Sequence, residues 1–182
     1  ALTSVLLLLV LSGPVTKLEL GLTDQSSAPT STTSRQAYDL MTESFGAGSN
    51  GSLLVTAELG SDTATGTDDP RVVKLYEGLS QADGVQAVSE PQVSKDGTAV
   101  LYTVVPKGSP TSDVTSGLVD DVRNDVIPAS GVEAHVGGST AQLLDLADLI
   151  GKRLPLIIAV VVGLSMLLLL IAFRSVVAPL QA

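Results

Sequence analysis

Hydrophobic and polar residues alternate differently in three parts of the chain, and the last part is the most distinctive. Residues 154–173 carry no charge, with Lys152 and Arg153 before them and Arg174 after them. As a helix this run is about 30 Å long, which matches the hydrocarbon core of a bilayer. A soluble helix would show a polar stripe, and this run offers only Ser165. We therefore predict a transmembrane helix over 154–173.

A shorter apolar run near the start, residues 5–11, cannot cross a bilayer alone. A signal peptide would add a basic segment and a small-residue cleavage site, and neither is visible. The end of an earlier membrane helix fits better, so we assign residues 1–13 to the C-terminal part of transmembrane helix 1. Because the chain begins at Ala1 and stops in another apolar stretch, we expect a piece of a longer protein.

Between the apolar parts, a Ser/Thr-rich linker at 23–33 precedes an amphipathic helix. Its apolar residues Ala37, Leu40, Met41 and Phe45 follow the helical period, and the helix is predicted to stop at Gly46. Residues 46–51 form a glycine-rich loop. The apolar face is expected to join the core, although a partner-facing or cavity-lining role stays open.

Six further elements follow in the order strand, helix, strand, strand, helix, strand. Residues 53–59 alternate as a strand, and the next helix starts at Pro70 behind Asp68 and Asp69. Asp96-Gly97 predicts a hairpin between strands at 85–93 and 98–105. Residues 114–126 show an apolar residue at every fourth position, so a helix is predicted there that ends at Pro128, before a last strand at 132–136.

This order predicts an α+β domain of the ferredoxin-like (βαββαβ) plan, with four antiparallel strands and two helices on one face. After Gly137-Gly138, the sequence from Ser139 to Gln142 has the spacing of a capping box and predicts a connecting helix over 139–153. Gly151 and Pro155 are the only helix breakers before the span. The domain is therefore expected to lead almost directly into the membrane helix.

Charge and cysteine content exclude several classes of function. The chain has a net charge of −9, and its stretch 17–148 holds all 19 acidic residues against seven basic ones, a net charge of −12. Such a domain repels nucleic acid and anionic lipid surfaces. With no cysteine, disulfides and thiolate metal sites are impossible.

No residue pattern predicts a catalytic, cofactor-binding or metal site, and no enzyme is expected. His135 is predicted to be a solvated or packed histidine. Asp68-Asp69 fits a helix cap and Asp120-Asp121 a solvated helix face, since neither pair has the alternating oxygen ligands of a calcium loop. Asn50-Gly51-Ser52 matches a glycosylation sequon and is expected to be inert. Ser139 and Thr140 have no nearby base, so a capping role suffices. Residues 46–51 lack the Lys and Thr of a phosphate-binding loop.

Several segments together resemble MMPL-type transporters of the RND superfamily, in particular their actinobacterial members. The most specific is Phe173-Arg174-Ser175 with the following Pro179, at the end of the second transmembrane helix. The resemblance covers nearly the whole chain and includes 20–22, 35–40, 45–51, 137–141, Asp145 and 153–155.

The resemblance implies a fragment of a proton-driven exporter of lipid-like or hydrophobic substrates. Residues 14–138 would be its first extracytoplasmic porter domain, 139–153 the connecting helix, 154–173 transmembrane helix 2, and 174–182 the cytoplasmic turn and start of helix 3. The implied partners are the lipid bilayer, the rest of the transporter chain and the hydrophobic substrate, with a homo-oligomer left open. The family's proton relay lies on later helices, so this span, which carries no ionisable group, is not expected to move protons.

Orientation does not follow from charge, because two basic residues flank one end of the span and one flanks the other. Following the family, we expect a multi-pass membrane protein with residues 14–153 extracytoplasmic. Arg174 is interpreted as an interfacial anchor, or as a contact that fixes the turn into the next helix. Two alternatives stay open: a membrane-anchored binding or interaction module without transport, and an RND-related protein for protein translocation or sterol handling.

Overall fold

The computed structural model describes residues 24–60 and 66–173, which fall into two compact units. One is a folded domain that extends to Asp145, and the other includes the helical segment from Leu146 onwards. The predicted helix end at 1–13, the residues 14–23 and the segment 174–182 with Arg174 lie outside the described residues.

The described elements follow the predicted order closely. They are α1 (Thr33–Phe45), β1 (Leu53–Glu58), α2 (Pro70–Gln81), β2 (Val85–Val88), β3 (Gln92–Val93), β4 (Ala99–Pro106), α3 (Asp113–Asp121), α4 (Ile127–Ser130), β5 (Glu133–Gly137) and α5 (Ser139–Phe173). Two short 3-10 turns, Gln25–Ser27 and Ala47–Gly51, flank α1. A π-helical segment, Val122–Val126, joins α3 to α4.

The sheet has the order β2-β4-β1-β5, with β3 also paired to β4, and every pairing is antiparallel. Each strand–helix–strand unit therefore leaves one strand position free, and a strand of the other unit fills it. This interleaving is the split βαβ arrangement. The α+β class is confirmed, and the strand order agrees with the ferredoxin-like plan.

The core lies between one face of the sheet and the helices α2 and α3. Along β1 buried and exposed residues alternate strictly, so that Leu53, Val55 and Ala57 point inward. Each helix contributes only its apolar stripe, as covering a single sheet face requires. The helix residues that complete the core are Val72, Leu75, Leu79, Leu118, Val119 and Val122.

The predicted strand at 85–93 is broken into β2 and β3. Pro91 lies between the two strands and lacks the N–H that a continuous ladder needs. The register also shifts between Val85 and Ala87, which is a bulge. Both features are typical of an edge strand that is protected against further pairing.

The prediction that the third helix ends at Pro128 is wrong. The helix continues through Pro128 to Ser130 and ends before Gly131. In an α-helix a proline clashes with the preceding turn and removes one hydrogen bond. Here the preceding turn is π-helical, and the N–H of Ile127 donates to Val122 O, so the wider turn accommodates the ring.

The first two turns of α5 belong to the folded domain. The Thr140 side chain is fully buried, and its hydroxyl donates to Gly51 O at 3.0 Å. Ala141 is 1% exposed and packs in the core. The capping-box assignment is off by one residue, because Gln142 N donates to Gly138 O and Gly138 takes the cap position. Gly138 has φ 100°, which a side chain would strain.

A bidentate ion pair holds α5 at the end of these two turns. Arg123 Nη1 and Nη2 donate to Asp145 Oδ1 and Oδ2 at 2.5 and 2.9 Å, and Nη2 also donates to Val136 O at 3.3 Å. One guanidinium thus links the π-helical segment, the edge strand β5 and α5. The hydrogen bond from Arg123 lowers the pKa of Asp145 below its ordinary value, and burial opposes this slightly.

The described residues include one helix, α5, that is long and apolar enough to cross a membrane, by length and composition alone. Its large side chains from Leu156 to Leu168 are exposed, Leu156 at 67%. Ser165 donates to Val161 O at 2.8 Å, so its hydroxyl is satisfied within the helix. The helix runs unbroken through Gly151 and Pro155, and a Pro within the helix is tolerated in membrane helices.

We expect Tyr102→Phe to lower the free energy of unfolding by about 1 kcal/mol, the typical worth of one buried hydrogen bond. Tyr102 is fully buried and its hydroxyl donates to Val72 O at 2.8 Å. Urea titration of the whole chain in detergent, followed by near-ultraviolet circular dichroism, measures the change. Leu54→Ala, on the exposed face of β1, is the control for a substitution outside the core.

The raised pKa of Tyr102 leads us to expect that the folded state loses stability at alkaline pH. Burial, with a smaller contribution from Asp69, raises the pKa of Tyr102 from 10.0 to about 12. The unfolded state therefore releases this proton first, so stability is full below pH 10 and falls between pH 10 and 12. Tyr102→Phe should flatten this part of the stability curve. An unchanged slope would contradict the assignment.

We expect Arg123→Gln to raise amide exchange in the first turns of α5 by about two- to fivefold, because a half-exposed ion pair is worth up to about 1 kcal/mol. Exchange in β1 and β4 should stay unchanged. Because the folded pKa of Asp145 lies below 3.8, the same loosening should develop as pH falls below that value. Hydrogen exchange with mass spectrometry measures both. Arg35→Gln, which on α1 loses an ion pair with Asp39 and a hydrogen bond to Ser26 O, is the control for the loss of an arginine contact outside α5.

Candidate functional site

Helix α1 packs on the domain with its polar side, which is the reverse of the prediction. None of its residues is buried, and Leu40 and Phe45 are each 64% exposed. The half-buried residues are instead Arg35, Tyr38 and Thr42. The expectation that the apolar face joins the core is wrong for Leu40 and Phe45. The physical reason is that α1 rests on hydrogen-bonding turns rather than on the apolar sheet face.

Hydrogen bonds supply the contacts of this polar side. The Tyr38 hydroxyl donates to Asp24 Oδ2 at 3.1 Å, and Asn50 Nδ2 donates to Tyr38 O at 3.1 Å and to Thr42 Oγ1 at 2.8 Å. Arg35 donates to Ser26 O in the 3-10 turn Gln25–Ser27. Both 3-10 turns are therefore tied to α1 by side chains that point away from its apolar stripe.

The predicted glycine-rich loop folds as the 3-10 turn Ala47–Gly51, in which Gly48 and Gly51 are buried. A Cβ on Gly48 would lie 1.7 Å from Pro106 O, so only glycine lets the turn approach the end of β4. The glycines are explained by this close packing. They therefore need no role in phosphate binding.

An open cleft of about 550 Å³ lies between α1 and the first turns of α5. This volume is within the range of about 300–1,000 Å³ that is usual for small-molecule sites. Apolar side chains line part of it, namely Ala37, Met41, Pro110 and Leu143. Polar ones line the rest, including Asp24, Ser34, Tyr38 and Ser139. All of these residues belong to the folded domain.

Asp24 is the one charged side chain among the described residues that line the cleft. It accepts hydrogen bonds from Ser26 N at 2.9 Å and from Tyr38. Burial raises the pKa of Tyr38 above 10.0, and the Asp24 carboxylate raises it further, so the phenol stays neutral at pH 7. The cleft can therefore hold an apolar group beside a negatively charged, hydrogen-bonding end.

The predicted structural roles of the acidic pairs and of His135 hold in most details. Asp69 N-caps α2, accepts from Arg71 N at 2.8 Å and forms an ion pair with Arg71. Asp120 is exposed and Asp121 half-buried at the end of α3. His135 is exposed on β5, with Nε2 3.9 Å from Glu133 Oε1. The structure does not bring these groups together.

The remaining candidates have structural contacts. The Nδ2 atom of Asn50, which a glycan would have to modify, is held by α1. Thr140 is not a cap, since its hydroxyl bonds Gly51 O. Among the described residues no group of three or more acidic or histidine side chains is placed to hold a metal ion.

The sequence analysis did not single out Asp24 and Tyr38, which line the cleft, or Arg123, which holds α5 through Asp145. Tyr38 lies on the polar stripe of α1, which the search for apolar periodicity passed over. Arg123 is a lone cation in a helix that holds Asp113, Asp120, Asp121 and Asp125, and this isolation was a usable signal. For Asp24 the sequence offered only a local cap over Ser26, since its other partner, Tyr38, is fourteen positions away.

Comparison with known proteins gives a family for this chain. The family model described as the MMPL family matches residues 26–181. The membrane protein YdfJ of Bacillus subtilis is 37% identical over 98% of this chain and 24% of its own length. The probable transport protein MmpL11 of Mycobacterium leprae is 26% identical over 93% of this chain and 17% of its own length.

The chain spans about a quarter or less of the length of these curated relatives. A putative membrane protein of Streptomyces coelicolor, ActII-3, is 29% identical over 98% of the chain and 23% of its own length. Among solved structures, the mycobacterial membrane protein MmpL11D2 aligns with 47% of this chain at 18% identity and a TM-score of 0.36. The resemblance in the sequence is thus confirmed by the family match, and the chain belongs to the MMPL family.

Proposed function

We propose that this chain is one section of a proton-driven exporter of lipid-like or hydrophobic molecules, and that its folded domain helps to form the path of the substrate. In this proposal residues 1–13 end transmembrane helix 1, and 14–138 form the porter domain. Residues 139–153 connect to transmembrane helix 2 at 154–173, and 174–182 turn into helix 3. Proton transfer and most of the substrate path belong to other parts of the longer protein.

The observation that carries the proposal is that one chain holds both an acidic folded domain and an exposed apolar helix. The match to the MMPL family covers both parts. Most large apolar side chains of α5 from Leu156 to Leu168 are more than half exposed, so a bilayer is their natural surrounding. The relative MmpL11 is named as a probable transport protein, which supports a role in transport. The relative YdfJ is named as a membrane protein, which supports a location in a membrane.

The domain itself contributes surfaces that suit hydrophobic molecules. Leu40 and Phe45 are exposed on α1, next to a cleft lined by Met41 and Leu143. Exposed apolar groups of this size on a folded domain mark sites of interaction. A binding module without transport would use the same surfaces, so transport has to be measured on the longer protein.

We expect the domain to lie outside the cytoplasm, and the absence of cysteine gives a clean test. In Ser80→Cys the thiol replaces an exposed serine of α2, and in Ser175→Cys it follows the span. A membrane-impermeant maleimide applied to intact cells should label the first variant only. Permeabilised cells should show label on both. Labelling of Ser175→Cys alone in intact cells would reverse the proposed orientation.

We expect the full-length protein that contains this segment to move a fluorescent lipid analogue across proteoliposome membranes when a proton gradient is imposed. A protonophore should abolish the movement, because the gradient supplies the energy. Protein-free liposomes are the control for leakage. Movement that persists without a gradient would contradict proton coupling, and no movement under any gradient would favour a binding module.

A further inference from the structure

The cleft beside α1 is lined by both polar and apolar side chains. On α1, Ser34 and Met41 line it seven residues apart, which separates them by about 10 Å along the helix axis. On α5 the lining likewise passes from Ser139 to Leu143 within about one turn. Each wall thus offers both polar and apolar side chains to a ligand.

The charge of the cleft favours a cation beside Asp24. Asp24 accepts hydrogen bonds from Ser26 N, from the Ser26 hydroxyl and from the Tyr38 hydroxyl, so three of the about four acceptor positions of a carboxylate are used. Acceptor capacity therefore remains for a ligand. The Tyr38 ring adds an aromatic face of the kind that attracts ammonium groups. An anionic group here would be repelled by Asp24, and the nearby cation Arg35, which donates to Ser26 O, is already paired with Asp39.

The apolar side of the cleft extends onto an exposed surface. Met41 lines the cleft and is 39% exposed, and Leu40 and Phe45 on the same helix are more exposed. A compact hydrophilic ligand would leave these side chains in water. An alkyl chain that leaves the cleft over α1 would cover them.

We propose that this cleft binds a single-chain amphiphile with an ammonium-bearing head group, held by Asp24, and an alkyl chain that contacts Met41 and Leu143. This inference deepens the proposed function, since it assigns a place and a charge preference to one class of hydrophobic molecule. All residues that line the cleft belong to the folded domain, which ends at Asp145.

The test uses the whole chain in nanodiscs and two photoreactive probes of equal alkyl length. One is a diazirine-bearing alkyltrimethylammonium and the other is the corresponding alkyl sulfonate. Mass spectrometry measures the label on the α1 peptide relative to the label on the α5 span of the same sample. This ratio corrects for the different partition of the probes into the bilayer.

We expect the ammonium probe to label α1 about three- to fivefold more than the sulfonate, which is the upper range for one half-exposed ion pair. Asp24→Asn should bring the two probes within about twofold of each other. Asn is as good an N-cap as Asp, so the 3-10 turn should persist. Asp83→Asn removes one charge from a different cleft and should leave the preference intact. Equal labelling in the unaltered chain, or an unchanged preference in Asp24→Asn, would overturn the proposal.

A second pair of variants locates the alkyl chain. Ala37→Phe should fill the cleft from its exposed side without disturbing the core, and should reduce the α1 label at least about fivefold. Val73→Phe enlarges an exposed apolar side chain of α2, which does not line the cleft, and should leave the label unchanged. Undiminished labelling in Ala37→Phe would place the probe elsewhere.

These outcomes are independent of the proposed export. Cleft labelling with a head-group preference, combined with no proton-driven movement by the full-length protein, would retain the site and reject the transport function. Proton-driven movement without any preference in the cleft would do the opposite. The two proposals therefore fail in distinguishable ways.

Discussion

The buried hydrogen bond from Thr140 to Gly51 O joins parts of the chain that are 89 positions apart, and much of the domain depends on this junction. Gly51 ends the turn that contacts α1, and the chain then enters β1, which lies between β4 and β5 in the sheet. Thr140 lies in the first turn of α5, directly after the edge strand β5. A buried hydroxyl without a partner would cost about 1–3 kcal/mol, so the two segments are held in one register. The turn, the sheet and the start of the long helix are thereby fixed to each other.

Around this junction polar side chains attach the helices α1 and α5 to the domain, and apolar side chains form the core. Arg123 forms an ion pair with Asp145 of α5, and Asn50 donates a hydrogen bond to Thr42 of α1. The core between the sheet and α2 and α3 is formed without either contact. A change at Arg123 or Asn50 is therefore expected to loosen an attached helix rather than to unfold the sheet.

The reversed orientation of α1 connects the fold to the proposed functions. A helix that docks through hydrogen bonds keeps its apolar side free, and in this domain that side borders the cleft. Net negative charge over the domain and Asp24 within the cleft act in the same direction, against anionic ligands. The same charge that excludes nucleic acid thus gives the cleft its proposed preference for ammonium groups.

The sequence by itself determined the α+β class, the order of the elements and the apolar span, because period-two and period-3.6 patterns are local properties of the chain. It also identified the family, through the residues around the end of the span. Only the tertiary structure decided which side of α1 faces the domain, since Asp24 and Asn50 come from outside the helix. The same holds for the passage of a helix through Pro128, which depends on a π-helical turn, and for the roles of Thr140 and Arg123. Their partners Gly51 and Asp145 are distant in sequence, and no local pattern encodes a contact of that kind.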